Sequence, residues 1–208
     1  MKKIFILPVL ALFLSVSIVN AQIAKKDLLL GGTLGVGTSN ANLGPAASNV
    51  NIYPRIGYAI GNNSVLSLKF GYAYYKSNSD VNSYPLNNRS NTFTAGLSWK
   101  KFYPVKERFG LYTDLYGTYN IGKTKQESGV PLAVQKSSNS GYTAGLNPGV
   151  YYLPFNWLIV SVDAGGIVYN YNKNKLEGNP VSHSSAFNVN FLNYFTFGVD
   201  FILTKRKS

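Results

Sequence analysis

The chain has 208 residues, a formal net charge of +12, 16 tyrosines, 12 phenylalanines and no cysteine. The lack of cysteine excludes disulfides, thiol nucleophiles, thiolate metal sites and a lipid-acylated cysteine. The cationic surplus does not point to nucleic acid, because the basic residues are spread along the chain and form no phosphate-tracking cluster.

Residues 1–21 read as a secretory signal peptide. Lys2 and Lys3 form its positive start, Ile4 to Val19 its apolar stretch, and Val19-Asn20-Ala21 a cleavage site before Gln22. Pro8 and two serines interrupt the apolar run, which disfavours a retained transmembrane helix. Removing Lys2 and Lys3 lowers the charge from +12 to +10. Residues 22–208 make one domain, with no second apolar run near the ~20 residues that a spanning helix needs.

Eight stretches of alternating apolar and polar residues follow. Leu30, Leu34 and Val36 oppose Gly31, Thr33, Gly35 and Gly37, and Ile52, Ile56, Tyr58 and Ile60 oppose Asn51, Arg55 and Gly57. Leu66, Leu68, Phe70, Tyr72 and Tyr74 alternate with Ser67, Lys69, Gly71 and Ala73. Phe93, Ala95, Leu97 and Trp99 alternate with Thr94, Gly96, Ser98 and Lys100. From Leu111 to Ile121 one face is apolar, and the other carries Tyr112, Asp114, Tyr116, Thr118 and Asn120. Tyr142, Ala144, Leu146 and Val150 form the sixth apolar face, and Val160, Val162 and Val168 the seventh, opposite Ser161, Asp163 and Gly165. The last runs from Phe187 to Leu203, with Asn188, Asn190, Thr196, Gly198 and Asp200 on its polar face. This is the period of a β-strand, repeated at the length of a spanning strand. Pro54 and Pro148 fall inside strands, where each removes a ladder donor, so irregular pairing is expected at both.

The connections alternate. Polar segments near residues 38–49, 76–92, 122–141 and 171–186 read as long loops, and those near 61–64, 103–108 and 154–156 as short turns. The expected fold is all-β, an eight-stranded antiparallel up-and-down barrel with short periplasmic turns, long extracellular loops and both termini in the periplasm. The polar face is built of Gly, Ser, Thr, Asn and Ala, which suits the cramped interior of a small barrel better than a water-facing exterior. The apolar face would then meet lipid, with Tyr74, Tyr103, Tyr119, Tyr152 and Phe201 toward strand ends as an interfacial girdle. Basic residues flank the belt at both rims, Lys101, Lys106 and Arg108 at one and Arg89, Lys123, Lys125 and Lys136 at the other.

On these stretches the chain resembles the small eight-stranded outer-membrane barrels of the OmpA/OmpX type, the outer membrane protein beta-barrel domain within the wider porin family. The resemblance spans residues 22–208 and implies a Gram-negative outer-membrane location, a monomer, outer-membrane lipids and lipopolysaccharide as neighbours, and the barrel-assembly machinery as a partner in biogenesis. Phe197, Gly198 and Phe201 resemble the family's terminal assembly signal, although Thr204 to Ser208 follow it. No peptidoglycan-binding domain is expected after the barrel.

Six charges fall on the polar face: Arg55, Lys69, Lys100, Asp114, Asp163 and Asp200. Three cations and three anions in a narrow interior demand pairing, so an interior ionic network closing the lumen is expected. The resemblance implies the same plug. A charged constriction in a small charge-selective pore is the alternative. No metal or cofactor site is expected, since His183 is the sole histidine and the acids are scattered. His183 with Ser184 and Ser185 weakly resembles the His-x-Ser spacing of lipid A deacylases, which defines a lipid A-modifying enzyme using the His183 loop as a further alternative. Gly31 to Gly37 lack the helix and Lys-Ser/Thr of a phosphate loop. The leading expectation is non-enzymatic: a closed barrel serving envelope integrity or surface interaction, with an unidentified extracellular ligand possible at the loops.

Overall fold

The structure is a computed structural model that describes residues 23–39, 46–81, 84–129 and 132–203. The expected leader and the tail from Thr204 to Ser208 lie outside the described residues. Eight strands form a closed antiparallel barrel in sequence order: β1 (Leu28–Ser39), β2 (Ala46–Gly61), β3 (Ser64–Val81), β4 (Tyr84–Lys106), β5 (Phe109–Gly129), β6 (Leu132–Phe155), β7 (Leu158–Leu176) and β8 (Ser182–Ile202). Closure pairs β1 with β8 at the seam, so the sheet has no free edge strand, the condition for a β-structure in hydrocarbon. The seam itself is short. β1 and β8 pair from Leu29–Ile202 to Thr33–Gly198.

Two-residue turns at Asn62-Asn63, Glu107-Arg108 and Asn156-Trp157 gather one end of the barrel, which also holds the start of β1 and the end of β8. Asn63 takes the left-handed conformation that its short polar side chain tolerates. Its amide donates to the Ile23 carbonyl at 2.9 Å, and its side-chain oxygen accepts from the Ile23 amide at 3.1 Å. The segment before β1 is thereby folded back onto the first turn.

At the other end the structure departs from the expected loops. Strands continue through most of the segments 76–92, 122–141 and 171–186, so that β4 and β5 stay in register out to Leu86–Ser128. β6 has 24 residues, about twice the ~9–11 that cross a bilayer, so polar composition there marks a ribbon beyond the apolar belt and not a loop. Strand propensity depends on context, so a polar stretch can pair as strand where both faces are hydrated, which composition alone does not reveal.

The outward face carries the expected apolar residues. Leu34, Phe93 and Phe197 are 65%, 63% and 64% exposed, and Leu68, Leu97, Leu115 and Val150 are exposed with them. Such a continuous apolar band is far beyond what a water-facing surface sustains. Phe155, Trp157 and Phe201 stack at the short-turn rim with ring centroids 5.3 and 6.0 Å apart.

Pairing is irregular at both prolines. Pro54 pairs with Gly32 on β1, but neither Tyr53 nor Pro54 is paired on the β3 side, with no change of register there. At Pro148 the β6–β7 register shifts between Leu146 and Gly149. A second shift follows on β7 between Asp163 and Gly165, where Gly165 has a φ of 81° that favours glycine. Against β6, β7 takes four steps from Asp163 to Ile167 where β6 takes three, and this extra residue reverses the parity of the rest of β7. Val168 therefore pairs with the inward Gly145, contrary to its expected place beside Val160 and Val162, and Tyr169 and Tyr171 point outward instead.

Candidate functional site: the closed interior

All six charged residues of the polar face point into the barrel. Arg55 and Asp200 are both in register with Gly31, from opposite sides. Because Gly31 has no side chain, the guanidinium crosses over it. Arg55 Nε donates to Asp200 Oδ1 at 2.5 Å, and Nη2 donates to Oδ2. A Cβ on Gly31 would collide with that carboxylate and with the Val199 carbonyl. Arg55 and Asp200 are 8% and 1% exposed, so the pair is buried and made in the two-point geometry that offsets desolvation best.

Lys69 faces Arg55 across β2 and β3, a like-charge neighbour. Its ammonium turns away and meets Asp114 Oδ2 at 3.2 Å, 4.6 Å from the centre of the Tyr116 ring. Lys100 is opposite Asp114 in register but makes no ion pair within 4.0 Å among the described residues. It lies against the Tyr112 ring, 4.4 Å from the centroid. Tyr112 in turn donates its hydroxyl toward Asp163 Oδ2 at 3.5 Å. Two ion pairs and one cation–aromatic–carboxylate link thus replace a uniform set of three ion pairs.

Beneath this polar layer lies an apolar one that the alternation did not announce. Leu29, Ala59, Val65, Phe102, Tyr151, Leu153, Ile159 and Ile202 point inward at the short-turn end, with Ile23 beside them. Phe102 meets Tyr151 edge-on at 5.0 Å. The sequence signal was present as adjacent apolar pairs, Phe102-Tyr103, Tyr151-Tyr152 and Ile159-Val160, where both faces of a strand are apolar. Between the two layers remains a void of about 10 Å³, bounded by Arg55, Lys100, Phe102 and Asp200, room for about one water.

Above the ionic layer, on the side of the strand extensions, is a polar cavity of about 270 Å³. Lys69, Asp114, Asn147 and Asp163 line it, and Asp114, Asn147 and Asp163 each turn one unpartnered oxygen to its wall. A polar chamber of this size with unmatched acceptors is one that water fills. A side-chain ladder lines its top. Thr94 donates to Asn120 at 2.8 Å, Asn120 to Thr143 at 3.0 Å, and Thr143 to Asn170 at 2.9 Å.

His183 is not in a loop. It belongs to β8, paired with Lys173, and its Nδ1 lies 2.8 Å from the Tyr171 hydroxyl on the exposed surface. Among the described residues no three of His, Cys, Asp or Glu gather as a metal site. Phe197 and Phe201 face outward and flank the buried Gly198, whose carbonyl accepts from Ser161 at 3.4 Å.

No protein-family model matches the chain, and no curated protein does. Solved structures similar to it are outer-membrane proteins. A major outer membrane protein from Thermus thermophilus is 12% identical, with 84% of this chain and 98% of that one covered and a TM-score of 0.47. Neisserial surface protein A (NspA) is 16% identical over 85% and 97%, with a TM-score of 0.42. Ail, the attachment invasion locus protein of Yersinia pestis, is 13% identical over 86% and 99%, with a TM-score of 0.36.

Proposed function

We propose that the protein is a non-enzymatic, monomeric integral barrel of an outer membrane, with a lumen closed to ions, that serves envelope integrity or surface interaction. The observation that carries this reading is the closure of the lumen by two successive layers. The Arg55–Asp200 and Lys69–Asp114 pairs each reach over one intervening strand inside the lumen, and the Phe102–Tyr151 layer seals it below, leaving only the void of about 10 Å³ between them. A conducting pore needs a continuous hydrated path, and an apolar constriction dewets even where a charged ring would admit ions. The apolar exterior band supports membrane residence, and the signal-peptide pattern read in residues 1–21 supports export. In this reading the short turns and both chain ends face the periplasm, and the strand extensions stand above the outer surface.

Planar-bilayer conductance of the protein expressed from its full-length gene and purified from membranes tests the closed state, with the heat-modifiable gel shift reporting folding. A shifted but silent barrel is expected. Stable, charge-selective current from folded protein would sink the closed reading and favour a pore.

A further inference from the structure

The chamber above the ionic layer holds more unmatched hydrogen-bonding capacity than a plug needs. Asp114 Oδ1, Asn147 Oδ1 and Asp163 Oδ1 are buried and accept no hydrogen bond among the described residues, and all three residues line the chamber. The Asp114 side chain is only 8% exposed. Asp114 is in register with Asn147 on β6, and Asp163 with Gly149 two positions on, so three neighbouring strands present one patch of acceptors. A buried acceptor without a donor is held against its full desolvation penalty, so this patch calls for an occupant rich in donors.

The charge of the chamber disfavours an ion in that place. Arg55 and Lys69 line it together with Asp114 and Asp163, two cations with two anions. Lys69 already stands 3.2 Å from Asp114 Oδ2. An added cation meets a like charge there, and an added anion meets both carboxylates. A neutral occupant meets neither.

Hydroxyls and aromatic rings make up much of the remaining wall. Thr33, Thr94, Thr118, Thr143 and Thr196 each bring a group that both donates and accepts. The Tyr53 ring lies over Gly71 and the Tyr116 ring over Gly145, where a Cβ would strike either ring. Lys69 covers Tyr116, 4.6 Å from its centroid, which leaves Tyr53 as the aromatic surface for the C–H side of an occupant. Many hydroxyl partners, balanced charge and one aromatic surface are the chemistry that recognises a sugar. The volume of about 270 Å³ falls below the ~300–1,000 Å³ of drug-sized sites, which suits one sugar ring and not a chain of them.

The approach from the strand extensions is neutral too. Alternation carried upward from the chamber puts Ser90, Thr124 and Ser137 on the inner face, with Asn49 and Asn139. All five are partly exposed although they point inward, so water reaches down this wall. Among its described side chains there is no Asp, Glu, Lys or Arg, because the lysines and the arginine of the extensions take outward positions.

We infer that the chamber binds a neutral sugar of monosaccharide size, free or as the terminal residue of a glycan. Its hydroxyls donate to Asp114, Asn147 and Asp163 in place of water. The inference rests on the reading above only for the direction of entry, since a closed floor leaves the chamber one mouth.

The full-length protein, purified from membranes in lauryldimethylamine oxide, a detergent without sugar, would be titrated by saturation-transfer NMR, with the gel shift reporting folding. The ligands are glucose, galactose and mannose, their methyl glycosides, glucosamine and glucuronate. At least one neutral hexose should saturate and bind about tenfold more tightly than glucosamine or glucuronate. A methyl glycoside that binds as well as its free sugar supports a glycan end as the source, and one that does not bind supports the free sugar. Asn147→Leu should weaken binding about tenfold, while Ser138→Ala on the outer face leaves it unchanged. Should Asn147→Leu not fold, Thr118→Val keeps the volume, removes one hydroxyl and should weaken binding severalfold. Unaltered affinity in the variant that folds would overturn the proposal. So would folded wild-type protein that no neutral hexose saturates, or that prefers glucosamine or glucuronate. Current in planar bilayers from protein that also saturates with sugar would strike the closed reading and leave the sugar site standing. A silent barrel that binds no sugar does the reverse.

Discussion

Arg55 and Asp200 clasp each other over Gly31, tying β2 to β8 across the intervening β1. This contact reinforces the barrel where its ladder is shortest, because β1 and β8 share pairs only from Leu29–Ile202 to Thr33–Gly198. An ion pair that reaches over the seam of a closed sheet thus links strands from its two ends.

Removing one partner strands the other as a buried charge. Asp200→Ala should therefore destabilise the folded barrel by about 3–5 kcal/mol, read as the urea midpoint of the heat-modifiable gel shift. Arg55→Met with Asp200→Leu should recover most of that loss, since replacing both charges removes the desolvation penalty. A single variant as stable as the wild type would show that the pair does not carry the seam.

Gly31 is the position over which the pair closes. Gly31→Ala puts a methyl group against the Asp200 carboxylate and the Val199 carbonyl. The expected cost is about 1–3 kcal/mol, the range for overpacking, by the same urea assay. Gly35→Ala, where a Cβ would meet only Asn51 at 3.5 Å, should be much milder. Equal effects at the two glycines would refute the crossing geometry.

Closure by two layers makes a directional prediction about current. Arg55→Ala with Asp200→Ala leaves the Phe102–Tyr151 layer in place and should remain silent in planar bilayers. Adding Phe102→Ala and Tyr151→Ala should admit ions. Current from the first pair alone would make the ionic layer the sole seal.

Lys100 rests on Tyr112 and has no carboxylate within ion-pairing distance among the described residues. Lys100→Met keeps the stem and its contact with the ring, so it should cost less than about 1.5 kcal/mol, the range for a volume-conserving swap. Chemical denaturation of both variants tests the ranking: Lys100→Met as damaging as Asp200→Ala would place Lys100 among the paired charges.

His183 is exposed and tied to Tyr171, not set beside Ser184 as a base. His183→Ala in cells producing the full chain should leave the lipid A mass profile the same as wild type. An altered profile dependent on His183 would overturn the non-enzymatic proposal.

Which face of each strand points out of the barrel was legible in the sequence, because strand geometry sends alternate side chains to opposite sides. Phe187, Val189, Phe195, Phe197 and Val199 all proved exposed, and Asp200 and Gly198 buried. The rule failed at Val168, since β7 carries one more residue than β6 between Asp163 and Ile167, and a lone extra residue leaves no mark on composition. It failed too for the strand extensions, whose hydrated faces carry no alternation to read. The acceptor patch of Asp114, Asn147 and Asp163 joins residues from three strands, so no local pattern could show it.

Alternation and strand length alone determined an eight-stranded barrel with six charges inside it. Which charges pair was decided only in three dimensions. Lys100 is in register with Asp114, yet Asp114 bonds Lys69, and Arg55 faces Lys69 yet reaches Asp200. Register sets which backbones are neighbours, but in a narrow curved interior long side chains cross strands, and the partner is chosen by reach and by the space that a glycine leaves open.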